Sequence, residues 1–566
     1  MSAFLVTSKT ENIDLPLLYH TWNTKDIKII KTFNSICYLE DSQDVEEKGY
    51  FFEESGHWIY VVGTFFYKEF SFKQSIEFFL KDFIKNRHDN NQMFGHYALL
   101  IYHNQKHHIL NDALGAIRIF SNSSQTKIST SFLGLWFSSL SPLKLKKIAV
   151  FEKIASGYIC APDTLVQDIE DCTYQSIGNS FLVKIKTKTP IYKEGKKELS
   201  FQIEESQKYF KKIFQLANGG SISLGLSGGF DSRMLLGLLL PYSNKYLFTH
   251  HTSGVHNKEM EIAKALCKIA SEELSVKETR QPSQLNTEEA EKLLIDLIYY
   301  YDGSTANNSG AFSETGTFEY NNFHLHGKAI GINGKGGEVF RNYYNLPNRE
   351  YSFQEWFTCL ESYYSMNYVF SEVLQKKLLK RIESKILERV SVQGKWSRWN
   401  IQRYYSEIRQ ADCEASIVSA HNKITRYIAP YLDAHLLVSA YLSYEKLGSG
   451  SEFQMDFIRK LKPDLAAVES NYGYSFLKVP VKFKTKEILL KHIPLRMKNR
   501  RLEKTIKKAG DLKLSTTEQT ALGFLKLYFP EINTEYCFSH YAQKNVVTNL
   551  AYLLIEAQKL NKLDLK

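Results

Sequence analysis

The chain has 566 residues, 43% hydrophobic and 14% aromatic, with a net charge of +11, enough apolar material for two or three separately cored domains. No stretch approaches the ~20 continuous apolar residues of a membrane span, and polar and acidic residues interrupt Met1–Leu18 where a secretory signal would be apolar. Seven cysteines (Cys37, Cys160, Cys172, Cys267, Cys359, Cys413, Cys537) are scattered, odd in number and never in a Cys-x-x-Cys pair; they fit a reducing, cytoplasmic setting and offer no zinc site.

Residues 1–195 predict an α+β layer of antiparallel strands. Trp58–Phe66 is strand-like and Gln74–Lys85 has helical spacing of its apolar residues. Strands are expected at Tyr97–Tyr102, His108–Asn111, Ile117–Phe120 and Ser180–Ile185. Within this region Gly95-His96-Tyr97-Ala98-Leu99-Leu100, Asn111-Asp112-Ala113-Leu114-Gly115 and Ile128-Ser129-Thr130-Ser131-Phe132 follow one another. Their order resembles the glutamine amidotransferase domain, an Ntn-hydrolase-like fold, that precedes the synthetase half of asparagine synthetases. The resemblance implies a nucleophilic cysteine exposed by removal of Met1. Here that position is Ser2, and the nearest thiol is Cys37. A serine of ordinary pKa is a far poorer nucleophile than a thiolate, so the expectation is a degenerate domain without glutaminase activity.

Residues 196–480 predict an α/β domain. Phe201–Leu216 reads as an amphipathic helix closed by Gly219-Gly220, and Ser221–Leu226 as a short buried strand. The strand breaks at Ser227-Gly228-Gly229-Phe230-Asp231-Ser232, and Met234–Leu240 continues as an apolar helix. Strand, glycine turn and helix N-terminus form a geometry that gathers phosphate oxygens on backbone N–H groups, with Ser227 and Ser232 adding hydroxyls. A carboxylate beside phosphates repels them unless a divalent cation lies between, so Asp231 points to a Mg²⁺-bound nucleotide. The loop lacks the Gly-Lys-Ser/Thr ending of a Walker loop. It resembles instead the pyrophosphate loop of ATP pyrophosphatases, where an acceptor attacks the α-phosphorus of ATP. Tyr246–His250 and Leu274–Val276 are further strands around the helix Glu259–Ile269, which implies a parallel sheet with its ligands at the strand carboxyl ends. His250, His251 and His256 tempt a metal reading, but adjacent histidines on a strand face opposite ways; pocket lining fits better.

A second glycine turn, Gly331-Ile332-Asn333-Gly334-Lys335-Gly336-Gly337-Glu338, follows a strand beginning at Lys328. It is similar to the Gly-Glu-Gly-Ala-Asp-Glu turn of asparagine synthetases but one residue shorter, leaving Glu338 as the single carboxylate to join Asp231 around Mg²⁺. Asp302, in Tyr299–Thr305 between the two turns, is a candidate acceptor-binding carboxylate, and the neighbouring tyrosines a candidate wall. Residues 353–410 read as largely helical. Arg426–Asp433 resembles the family's Arg-x-Pro-Phe-Leu-Asp segment, with Asp433 as a helix cap; its pre-proline glutamate is missing, so the acceptor is neither simple aspartate nor a β-lactam precursor. Lys478 and Lys482 both qualify as the lysine that, in this family, neutralises departing pyrophosphate.

The likeness to the asparagine synthetase, β-lactam synthetase and lasso-peptide cyclase family runs to about Phe476. It implies an AMP-forming carbon–nitrogen ligase using ATP and Mg²⁺, with Leu226, Ser227, Gly228, Gly229, Asp231, Ser232, Gly334 and Gly336 around the nucleotide. Its substrate would be a peptide or small-molecule carboxylate, with a precursor peptide and its processing protease as partners if it closes a macrocycle; the alternative is amidation of a small-molecule or sugar acid with free ammonia or ammonia from a partner. Residues 481–566 read as a basic helical extension: between Lys482 and Lys513 twelve Lys/Arg face three acids, a local balance of +9. Two other classes stand beside the ligase: a tRNA-modifying pyrophosphatase, disfavoured by the ~220 residues before the loop, and a nucleotide-binding pseudo-enzyme.

Overall fold

A computed structural model describes residues 3–24, 26–40, 49–53, 55–185, 193–254, 258–304, 311–361, 366–390, 392, 394–448, 451–495, 497, 514–539 and 541–565. Ser2, His256 and most of the basic run after Met497 lie outside the described residues.

The N-terminal third is built on two six-stranded sheets packed face to face. The first is centred on Phe4–Ser8, paired antiparallel to Ser35–Glu40 and Lys127–Ser129. The second runs through Trp58–Gly63, Tyr97–His103 and Lys106–Asn111, antiparallel except where Leu182–Lys184 joins parallel to Lys106–Asn111. Both faces of these strands are apolar, and the period of two divides them. Phe4, Val6, Trp58, Tyr60 and Val62 fill the space between the sheets. Ile59 and Val61 face the helix Phe72–Ile84, whereas Leu5 joins a helical core on the other side.

One expected strand is shortened. Ile117–Ile119 leaves the sheet, and the strand begins only at Phe120. The buried carboxylate of Asp112 accepts the N–H groups of Leu114, Ala116 and Ile117, so those donors are satisfied in a local turn rather than a ladder.

The second unit is a five-stranded, all-parallel sheet. Its order is Leu274–Thr279, Lys245–Thr252, Ile222–Gly225, Ile330–Ile332 and Tyr427–Ile428. Ile222–Gly225 is central, and the helix after it, Asp231–Leu239, is buried almost all round, as an apolar helix without a polar stripe must be. The region from residue 353 is helical in pieces. Glu372–Val390 runs for 19 residues, and Arg398–Arg403 continues into a π-helical stretch, Tyr404–Glu414, and then Ala415–His421.

A buried ion cluster ties the two units together. Glu152, on the helix Lys147–Ser156, and Asp163 meet Lys385 of the helix Glu372–Val390; Asp163 also takes Lys146 at 3.1 Å and Arg381 at 2.7 Å. The chain's end folds back on its beginning: Leu563–Asp564 pairs parallel with Leu143–Lys144, and Trp136 donates its indole N–H to the Lys562 carbonyl at 2.8 Å. Among the described residues no helix is long and apolar enough to cross a membrane.

Candidate functional site

The two glycine turns leave neighbouring strands of the parallel sheet at their carboxyl ends. After Gly225 the backbone of Leu226 stays bonded to the next strand, donating to the Phe248 carbonyl at 2.8 Å. The chain then turns, and the hydroxyls of Ser227 and Ser232 meet at 3.0 Å, bracing the two ends of the loop. The first-turn N–H groups of the helix from Asp231 have no carbonyl inside the helix. The loop therefore presents donors and a positive helix end at the mouth of the sheet.

Close approach is built into both turns. A Cβ on Gly228 would lie 1.7 Å from the Asn471 side-chain oxygen, and one on Gly337 would lie 2.2 Å from Oδ1 of Asp231. Gly334 is also pressed against Asp231 and Ser232, and Gly336 turns the chain at φ +85°. Glycine is what lets the second turn lie against the first, and so brings Glu338 beside Asp231.

The two carboxylates share one guanidinium. Arg341 Nη2 lies 3.0 Å from Glu338 and 4.0 Å from Asp231. Gln454 donates its amide both to Asp231 at 2.7 Å and to the Gly337 carbonyl at 2.8 Å, locking the turns to each other. Burial first, and then the negative charge of Glu338, push the Asp231 carboxyl up to about 6. Two carboxylates against one guanidinium leave a negative surplus at this point.

Several functional candidates escaped the sequence reading. Arg341 and Gln454 are the cation and the amide that hold the acid pair. Arg233 is fully buried; it donates to the carbonyls of Leu465, Val468, Glu469 and Gly228, and stands 4.5 Å over the Phe476 ring. Phe230 stacks on Tyr472 and Phe476 at 5.0 and 4.6 Å. The segment 465–476 is thus fastened to the loop from beneath and from the side. Tyr343, packed at a tilt against Tyr405 with ring centroids 4.1 Å apart, and the half-exposed Tyr472 form an aromatic border near Arg341. Ser-Gly-Gly-Phe-Asp-Ser carried a signal for Phe230; nothing in the sequence marked Gln454.

The other expected positions fall elsewhere. Asp302 does not meet the acid pair: its carboxylate accepts from the Ser131 hydroxyl at 2.7 Å and from the N–H groups of Phe132 and Leu133, capping the helix Phe132–Phe137. Tyr300 and Tyr301 are buried in a separate apolar cluster, and Tyr299 bonds Glu556, so none of the three stands at the acid pair. Lys478 and Lys482 are both exposed just beyond the fastened segment, and neither is singled out by its contacts. Asp433 caps the helix Ala434–Tyr441 through the His435 N–H at 2.9 Å. Lys335 turns away to Glu414 at 3.0 Å.

Asp231 and Glu338 supply hard oxygen ligands within reach of one cation, and the donor type fits Mg²⁺. Among the described residues no group of three or more His, Cys, Asp or Glu forms a ready metal site. A Mg²⁺ here would need phosphate oxygens and water to complete its shell, as nucleotide-bound Mg²⁺ commonly does.

No family model matches this sequence, and no curated protein matches it. Among solved structures, U34-tRNA thiolase NcsA from Methanococcus maripaludis is similar over 52% of this chain and 81% of its own, at 14% identity and a TM-score of 0.18. A likeness this slight carries no argument about activity.

Proposed function

We propose that the protein is an ATP-dependent ligase that adenylates a carboxylate and joins it to an amine. The observation that carries the reading is the meeting of Asp231 and Glu338, from two separate glycine turns, beside a strand–loop–helix junction. In this reading the loop Ser227–Ser232 receives the β,γ-pyrophosphate through backbone N–H groups and the two serine hydroxyls. Leu226, Gly334 and Gly336 border the nucleoside. Asp231 and Glu338 would hold Mg²⁺, which when bound offsets phosphate charge. Arg341 keeps the two carboxylates together and would offset charge developing on bound phosphates.

The reaction this suits is two displacements. A substrate carboxylate oxygen attacks the α-phosphorus, and the bond to the bridging oxygen breaks, releasing pyrophosphate. An amine nitrogen then attacks the acyl carbon, the bond to AMP breaks, and the amine loses its proton. Lys478 and Lys482 remain the candidates for the charge on departing pyrophosphate. The acceptor is a peptide or small-molecule carboxylate, and the aromatic border of Tyr343 and Tyr472 suits a bulky one, as in peptide macrocyclisation.

Glutamine is not the nitrogen donor in this proposal. Cys37 is fully buried between the sheets with its thiol 3.4 Å from His107, and burial pushes that thiol far above the ordinary range, so it cannot act as a thiolate. The N-terminal sandwich, Ntn-hydrolase-like in this reading, serves as scaffold.

The test is calorimetry with MgATP, then product analysis with acidic peptides and with small carboxylic acids. Carboxylate-dependent formation of AMP and pyrophosphate supports the proposal. ADP and phosphate as products, or no MgATP binding, would overturn it, and steeply salt-dependent tRNA binding would favour RNA modification instead.

A further inference from the structure

A cavity of about 850 Å³, its mouth included, lies between the N-terminal unit and the helix Ala415–His421. Its walls are largely apolar, with Phe120, Phe132, Tyr158 and Tyr301 prominent, and Ser416 and Ser419 supply hydroxyls. Seven charged side chains also border it, and six of them are already answered. Arg118 pairs with both Asp171 and Asp412. Asp163 belongs to the buried ion cluster, and Asp302 caps a helix. Lys423 donates to the carbonyls of Tyr299 and Tyr300.

The seventh is Lys153. It sits on the helix Lys147–Ser156, is 7% exposed, and lines the cavity. Its neighbour in sequence, Glu152, is committed to Lys385 and the Cys160 N–H. Among the described residues the ammonium of Lys153 has neither an ion-pair nor a hydrogen-bond partner. A buried ammonium without an anion is unfavourable unless something else answers it. Burial accordingly holds its pKa below the ordinary lysine value.

We infer that this cavity binds a small carboxylate with an apolar body, its carboxylate received by Lys153 and its body by the aromatic walls. A single unanswered cation calls for a single negative charge, since a dianion would face the bordering aspartates unbalanced. The apolar walls exclude a strongly hydrated ion such as inorganic phosphate. The site is separate from the acid pair at Asp231 and does not depend on the adenylation reading. The helix segment from Asp412 to Ser419 nevertheless borders both places, because Glu414 on it reaches Lys335 of the second glycine turn.

Calorimetry on the full chain tests this with phenylacetate and with its neutral counterpart phenylacetamide. Phenylacetate is expected to bind, with phenylacetamide weaker by about tenfold or more. Lys153→Met should lose phenylacetate affinity by a similar factor, and should melt no lower than wild type, since an unpaired buried charge is removed. No heat from phenylacetate at millimolar concentration would overturn the inference. So would equal binding of acid and amide, or wild-type affinity in Lys153→Met. The acid–amide comparison on the unmodified protein decides the matter even if the variant does not fold.

Discussion

Two acidic clusters in this molecule look alike in composition and differ in how many cations answer them. At Glu152 and Asp163, three cations (Lys146, Arg381 and Lys385) meet two carboxylates. Burial pushes the Glu152 carboxyl up, yet at Asp163 the hydrogen bond from Arg381 and the charges of Lys385 and Lys146 outweigh burial and hold the carboxyl well below its ordinary range. At Asp231 and Glu338 a single guanidinium serves two carboxylates, and the Asp231 carboxyl rises to about 6. The first cluster is complete and closes the interface between the N-terminal unit and a long helix. The second is one positive charge short and lies at the open end of a sheet. A complete buried network stabilises a particular fold. An incomplete one at the carboxyl end of a parallel sheet is a place where an outside cation can be received.

If the contrast is sound, removing a member has opposite signatures at the two places. Asp231→Ala should lower pyrophosphate release by about 10³-fold, the loss expected when several kcal/mol of transition-state charge stabilisation disappear. The melting temperature should hold or rise, because the partner repelling Glu338 is gone. Pyrophosphate release within tenfold of wild type would remove Asp231 from the site.

Lys385→Met should do the reverse. It strands the fully buried Glu152 and weakens the hold on Asp163, which costs on the order of 3–5 kcal/mol when one partner of a buried pair is deleted. Urea unfolding measures that loss, and calorimetry on the folded protein should still show MgATP binding. A variant that melts like wild type would mean that the cluster is not closed after all.

A smaller change sharpens the site itself. Gly337→Ala places a Cβ 2.2 Å from Oδ1 of Asp231, so the carboxylate must shift away from Gln454 and Glu338. MgATP affinity is expected to fall about tenfold, with little change in melting. Unchanged affinity would show that the close approach of the two turns is incidental to binding.

What the sequence disclosed follows the same division. The strand, glycine loop and apolar helix were legible because each has a local period or turn residue, and the parallel sheet follows from their alternation. The approach of Asp231 to Glu338 was legible because two glycine-rich turns at adjacent strand ends must lie side by side. Arg341 and Gln454 were not: one is an arginine after a turn, the other a glutamine on an ordinary amphipathic helix, and only packing brings them to the carboxylates. The place of Asp302 was not legible, because a carboxylate between two loops looks the same in sequence whether it reaches the acid pair or caps a helix. Its true partners, Ser131, Phe132 and Leu133, lie about 170 residues earlier, a separation that no local pattern encodes. Tyr300 and Tyr301 likewise join a cluster assembled from distant segments, and both line the separate cavity.

The smallest effect separates the clusters by pH. Asp231 titrates near 6 in the folded chain against an ordinary value of 3.8, so the folded state binds its proton more tightly than the unfolded state does. Stability therefore falls as pH rises from about 4 to 6 and is regained on acidification through that window. Asp231 is 25% exposed, and with solvent screening the change should amount to about 1–2 kcal/mol. Asp163 has the opposite sign: its depressed carboxyl contributes stability above the ordinary range and loses it only as pH falls below about 4. Urea titrations of wild type and Asp231→Asn across pH 4 to 6 should differ in slope, with the variant flatter. MgATP affinity should strengthen through pH 6 in wild type, where the carboxylate must be ionised to meet a cation, and show no such step in Asp231→Asn. Parallel curves for the two proteins would mean that the negative surplus at the glycine turns is already neutralised, and the contrast between the clusters would fail.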